Sequence, residues 1–272
     1  MSDEYDLDSG PDPAAFAAAE PEPKPAHLGS GSKTPVYAVG IGPGNPEYLT
    51  RRGARAIREA DVVVGFQAVI DFVADETDAD LLTCGYADEA EALAAFADRV
   101  DAGETGTAVL MGDPNHSGYQ FLGKVQRAVA EEAPDVPVQV IPGISAIQLA
   151  ASRARTPMED SRFVTLHKSG PIDAELETLA ENVGDRHLLV LPRPFDWMPG
   201  DVAAFLLDRG ASEDLDALVF EHLTHDEEAH TRTTLGELAD HAGGDDAEST
   251  PFSDLSVLVV RADIESNGGD GT

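Results

Sequence analysis

Between residues 36 and 260, short β-branched and aliphatic runs alternate with longer segments whose apolar positions recur every three to four residues. The runs predict strands at Val36–Val39, Val62–Val64, Leu81–Thr83, Ala108–Met111 and Val138–Ile141, then at Phe163–Leu166, Leu188–Leu191, Ala217–Phe220 and Leu255–Val260. The longer segments predict helices at Tyr48–Ala60, Glu89–Ala102, Gln120–Glu132, Ala146–Ala154, Asp173–Glu181, Asp201–Arg209 and Thr234–His241. Short apolar strands separated by helices belong to the α/β class and imply mostly parallel, buried sheets. Five strands precede "ASRARTPMEDS" and about four follow it, so two α/β domains are expected, at 35–155 and 156–262. Residues 1–34 are rich in Asp, Glu, Pro, Ala, Gly and Ser and predict a disordered acidic tail; residues 263–272, with "SNGGDGT", predict another.

Charge changes the picture most. The chain carries 51 acidic and 18 basic residues, a formal net charge of -33, yet 42% of it is apolar, enough for a real core. Nucleic-acid binding is disfavoured, because phosphate contacts need clustered Lys and Arg. A folded chain with acids spread along its length fits a salt-loving cell, where a Debye length of about 3 Å at molar salt screens self-repulsion. The single cysteine, Cys84, excludes an intramolecular disulfide and a Cys-based zinc site. No transmembrane helix or secretory signal is expected, and the protein is expected in the cytoplasm.

The stretch "VYAVGIGPGNPEYLTRRGARAIREADVVVGF" has the layout strand, glycine-rich turn, helix, strand. It does not suit a phosphate: Asn45 stands at the third fingerprint position, Pro43 and Pro46 remove amide donors, and the next strand ends Val64-Gly65-Phe66 without a ribose-binding acid. It does suit a rigid, close-approach loop at the carboxyl end of a first strand, where ligands of open α/β sheets bind.

These residues resemble the opening signature of the tetrapyrrole methylases. The strand leading to Gly112-Asp113-Pro114, followed by "NHSGYQF", resembles the family's second signature, and "VQVIPGISAIQLAASRA" its third. The later segments "LLVLPRPFDWMPGDVAAFLLDRG" and "VFEHLTHDEEAHTRTTLGELA" resemble the branch that methylates carbon 5 of cobalt-precorrin-7, over about Val36 to Arg261. The chain departs from that branch in two places: His167-Lys168-Ser169 replaces its usual His-Gly-Arg, and Met111 replaces the Ser before Gly-Asp-Pro.

The resemblance implies two α/β domains with S-adenosyl-L-methionine in a cleft between them, a cobalt-corrinoid substrate in cobalamin synthesis, and a homodimer. Carried over by motif, Gly112, Asp113, Pro114, Ser117 and Gly118, with Ser145 and Ala146, meet the methionine end. Leu191 with Pro192, and Glu221-His222-Leu223, flank the adenosine. Pro43 and Gly44 stand at the mouth where the tetrapyrrole enters. A carboxylate-rich substrate calls for local positive charge, and Arg51, Arg52 and Arg55, with His167, Lys168 and Arg193, are the candidates. On residue type alone, Asp113 also suits a turn acid capping the Gln120 helix, Pro43-Gly44 a plain turn, and the arginines a solvated helix face.

Methyl transfer from a sulfonium needs alignment and exclusion of water more than a base, and no catalytic residue is assigned. Ser145 and His167 do not make a convincing nucleophile and base, since Ser145 reads as a helix N-cap. His116, His167 and His222 lack metal-site spacing, and His225 and His230 do not share a helical face. Another precorrin or uroporphyrinogen methylase, or a non-catalytic corrinoid or nucleotide carrier, stays open as an alternative.

Overall fold

Val36–Gly40 (β1), Val62–Phe66 (β2), Asp80–Cys84 (β3), Gly106–Leu110 (β4) and Val138–Ile141 (β5) form one wholly parallel sheet in the order β3-β2-β4-β1-β5. The structure is a computed structural model describing residues 13–18, 34–116, 118–168, 170–243 and 250–263. It divides into two compact units, Met1–Ser145 and Ala146–Thr272.

In the first unit, alternation along β1 sends Val36 and Ala38 to one face and Val39 to the other. Helices α2 (Arg51–Arg58) and α3 (Gln67–Ile70) cover the Val39 face, where Ile57, Val63, Ile70 and Val109 are buried. Helices α4 (Glu89–Asp101) and α5 (Tyr119–Glu132) cover the other, closing over Phe96, Leu110, Leu122 and Val125. Both faces being covered explains the near-continuous apolar strands. The tail is not wholly without structure. Pro13–Ala17 forms a short helix, α1, and the Phe16 ring lies 5.6 Å from that of Tyr119. A lone aromatic among alanines gives this turn something to pack. The remainder of the expected tails, 1–12, 19–33 and 264–272, lies outside the described residues.

The second unit begins with α6 (Ala146–Ala154), earlier than the expected join at 155/156. The helix belongs there because Ile147, Ala150, Ala151 and Ala154 pack with Leu189, Phe220, Val257 and Val259. The polar "RTPMEDS" segment is therefore the connection from α6 to β6 (Ser161–Thr165). Next come α7 (Asp173–Asn182), β7 (His187–Leu191), α8 (Pro199–Asp208), β8 (Asp216–Glu221), β9 (Ala229–Thr234), α9 (Leu235–Ala239) and β10 (Ser256–Val260). The sheet order is β6-β7-β10-β8-β9. Here the expectation of parallel strands needs correction. Only β6 and β7 pair in parallel; β10 runs antiparallel to both β7 and β8, and β9 antiparallel to β8. β9, "AHTRTT", is an edge strand without apolar alternation, so the hydrophobic pattern does not reveal it.

Candidate functional site

In the first unit, β1 leads into α2 on one face and its neighbour β4 into α5 on the other, so their loops diverge between adjacent strands. Such a switch point at the carboxyl edge is where ligands of open α/β sheets bind. The two loops are stitched together: Gly42 N–H donates to Gly112 O at 3.2 Å and Gly112 N–H to Gly42 O at 3.0 Å. Both glycines hold positive φ, 86° and 61°.

The third loop, after β5, presses in so closely that only glycine fits. A Cβ on Gly143 would lie 2.1 Å from Gly112 O, and one on Gly40 2.5 Å from the same atom. Asp113 fastens this junction. Its Oδ2 accepts the Gly143 amide at 3.1 Å, while Oδ1 accepts the Asn115 amide at 2.9 Å. It does not cap α5, whose N-cap is Gly118 without a side-chain cap bond. Pro114, Gly118 and Ser145 are buried around the junction, and Ser145 immediately precedes α6. Ser117 lies outside the described residues. His116, whose amide donates to Asp113 O, has its imidazole pKa lowered by burial against the opposing pull of Asp113.

Pro43 and Gly44 are half-buried in the loop after β1. Thr50 caps α2 by accepting the Gly53 amide at 3.1 Å, and Gly53, Ala56 and Ile57 face the core. That orientation leaves Arg51, Arg52 and Arg55 exposed, without an ion-pair partner among the described residues. Arg51 and Arg52 stand at the positive end of the helix dipole, an unfavourable place for a cation. Arg52 lies 5.9 Å from the Tyr37 ring centroid.

In the second unit, β6, β7 and β8 share a carboxyl edge, because β7 and β8 are both antiparallel to β10. This edge brings together His167 and Lys168, then Leu191 and Pro192, and Glu221, His222 and Leu223. Two of the expected carboxylate ligands are already engaged. Lys168 Nζ meets Glu175 at 2.6 Å. Arg193 donates to the carbonyls of Leu166, Lys168 and Gly170 and pairs with Asp196, so it braces the loop after β6. His167 is exposed.

The loop after β8 is strained. His222 and Thr224 hold φ of 47° and 75°, each costing on the order of 1 kcal/mol. His222 N–H donates to Leu255 O at 3.1 Å, Glu221 accepts the Ser253 amide at 2.8 Å, and Leu223 is buried. Glu228, which sequence reasoning passed over, accepts the Thr224 amide at 2.6 Å. Its only sequence signal is a place in an acidic run, "DEEAH", indistinguishable from surface charge. The Thr224 hydroxyl is buried and has no hydrogen-bond partner among the described residues. No group of three or more His, Cys, Asp or Glu among the described residues is placed to hold a metal, and no helix among them is long and apolar enough to cross a membrane.

A family model describing tetrapyrrole (corrin/porphyrin) methylases matches residues 35–239. A probable cobalt-precorrin-7 C(5)-methyltransferase of Methanocaldococcus jannaschii is 32% identical over 232 residues, 85% of this chain and 99% of that protein. Among solved structures, a cobalt precorrin-4 methyltransferase superposes with a TM-score of 0.66 at 18% identity, covering 83% of this chain and 94% of its own. The uroporphyrin-III C-methyltransferase of Thermus thermophilus, complexed with S-adenosyl homocysteine, gives 0.61 at 22%, covering 84% and 92%. At these identities the structural likeness shows the fold alone.

Proposed function

The chain belongs to the tetrapyrrole methylases, and on that premise we propose that it is an S-adenosylmethionine-dependent C-methyltransferase acting on carbon 5 of cobalt-precorrin-7 in cobalamin synthesis. The observation that carries the ring position is the 32% identity extending over nearly the whole archaeal relative.

The residues present fit the methyl donor. The Gly40–Gly112–Gly143 junction packs backbone against backbone at the carboxyl edge of the first sheet, the kind of edge where ligands of open α/β sheets bind. The orphaned Thr224 hydroxyl offers a polar contact for a nucleoside. S-adenosylmethionine supplies an electrophilic methyl on a sulfonium. In this reading Gly112, Asp113, Pro114, Ser117, Gly118, Ser145 and Ala146 hold the methionine end, and Leu191, Pro192, His222 and Leu223 the adenosine. Pro43 and Gly44 meet the macrocycle, and Arg51, Arg52 and Arg55 of α2 take its carboxylates. These residues bind, orient and exclude water, effects that can supply most of the acceleration for a direct displacement.

The net charge of -33 supports work in molar salt; the same reading has the protein act in the cytoplasm as a homodimer, which light scattering at molar KCl checks. The deciding experiment is turnover in high salt with 13C-methyl-labelled donor, offering cobalt-precorrin-7 and uroporphyrinogen III separately. A new methyl at carbon 5 of the corrinoid is expected by NMR. Methylation of uroporphyrinogen III instead, or binding of the donor without turnover of either, overturns the assignment.

A further inference from the structure

Glu228 joins three elements of the second unit. Its carboxylate accepts the Thr224 amide from the loop after β8, meets Arg153 of α6 at 3.1 Å, and meets His230 Nε2 of β9 at 2.6 Å. The His230 ring is itself fixed edge-on to Phe220, 4.9 Å between centroids. Burial works against the charge of Glu228, but the Thr224 amide, His230 and Arg153 outweigh it and hold the carboxyl below its usual range. An ionised acceptor so surrounded is a strong, well-placed anchor. What it anchors is the His222–Thr224 backbone, whose two positive φ angles are not retained without an outside constraint. With its amide taken, Thr224 keeps a buried hydroxyl that has no hydrogen-bond partner among the described residues.

We propose that Glu228 is a positioning residue for the nucleoside end of the site: it holds the strained His222–Thr224 turn in its binding shape before any ligand arrives. The inference rests on the reading that this loop meets the adenosine, and deepens it. Preorganisation of this kind raises affinity by sparing the ligand the work of ordering the loop.

Glu228→Ala and Glu228→Gln separate the role from simple stability. Gln keeps an acceptor for the Thr224 amide, whereas Ala removes it. Titration calorimetry in molar KCl with S-adenosylhomocysteine, and with 5′-methylthioadenosine as the nucleoside alone, reads both affinity and the fraction of active sites. Glu228→Ala is expected to weaken both ligands by the same factor, about tenfold, and Glu228→Gln by less than about threefold. A fallen active fraction with unchanged affinity, or equal losses in Gln and Ala, overturns the proposal. Hydrogen exchange of the ligand-free wild type covers the case in which Ala fails to fold: the Thr224 amide is expected to be protected already. Protection that arises only on adding ligand overturns it. Failure of the wild type to bind either ligand counts instead against the methyltransferase reading, and the exchange result then decides the clamp.

Discussion

Substituting Gly143 by alanine tests the claim that three loops meet at van der Waals limit. The new methyl would lie 2.1 Å from Gly112 O and 2.8 Å from both Gly40 C and O, all backbone atoms that no rotamer change can move. To reach ordinary contact at 3.4 Å, the Gly112 carbonyl must recede by about 1.3 Å. That displacement stretches the Gly42–Gly112 pair of hydrogen bonds and the bond from Gly143 N–H to Asp113. Overpacking of this kind costs about 1–3 kcal/mol, and loss of the charge-assisted bond about 1.5 kcal/mol more. A total near 3 kcal/mol lowers the melting temperature of the unit by about 6–12 °C. Gly85→Ala is the control, since its Cβ would meet only Asp88 Oδ1, at an ordinary 3.7 Å. Thermal and urea unfolding of both variants in molar KCl provides the measure. A Gly143→Ala protein as stable as the control would refute the close-packed junction.

Four further outcomes are expected. Asp113→Ala, which frees the Gly143 and Asn115 amides, should stay folded but weaken S-adenosylhomocysteine binding; unchanged affinity by calorimetry removes Asp113 from the cofactor loop. Neutralising Arg51, Arg52 and Arg55 together should raise substrate KM a few-fold at molar salt, since each exposed pair contributes about 0.2–1 kcal/mol, while cofactor affinity holds; an unchanged KM returns them to a solvated helix face. Lys124→Met strands the Glu89 carboxylate, whose side chain is 8% exposed and whose Oε1 has no partner among the described residues, and should cost about 3–5 kcal/mol by denaturant titration, most of it recovered by adding Glu89→Leu; strictly additive losses would sink that reading. Burial, with Glu89 and Asp88 nearby, pushes the Cys84 thiol from about 9 up to about 12, so iodoacetamide at pH 9 should label the unfolded chain far faster than the folded one, and stability should fall as pH rises between those values because only the unfolded thiol ionises there; equal labelling rates would contradict it.

The strands most legible in the sequence are the central ones, buried on both faces. Val62–Val64 and Leu188–Leu191 announce themselves because every position is apolar. β9 does not, since an edge strand with one wet face can be built from His, Thr and Arg. The strand directions of the second sheet were equally hidden, because local patterns carry no information on which strand β10 enters between. Motif order led to loops that the structure brings together within the first unit, but residue type did not say what each residue does there. Asp113 fits a helix cap on composition and in fact ties two loops. Lys168 and Arg193 fit a carboxylate rim until their partners are seen. Glu228 shows through its link to the Thr224 backbone amide and through partners on other elements, none of which a sequence displays.

The position of β10 constrains how the second unit comes into being. Residues 256–260 lie between β7 and β8, which do not pair with each other. Until that strand is synthesised, β6–β7 and β8–β9 are two separate ribbons with bare inner edges, and Leu189, Phe220 and the apolar side of α6 lack their partners Val257 and Val259. On the ribosome, the first unit can therefore close while the second waits, open along its middle, for a strand more than a hundred residues downstream. A chain interrupted before residue 256 would expose two unpaired edges ready to join other molecules, so the second sheet closes only on the strand that is synthesised last.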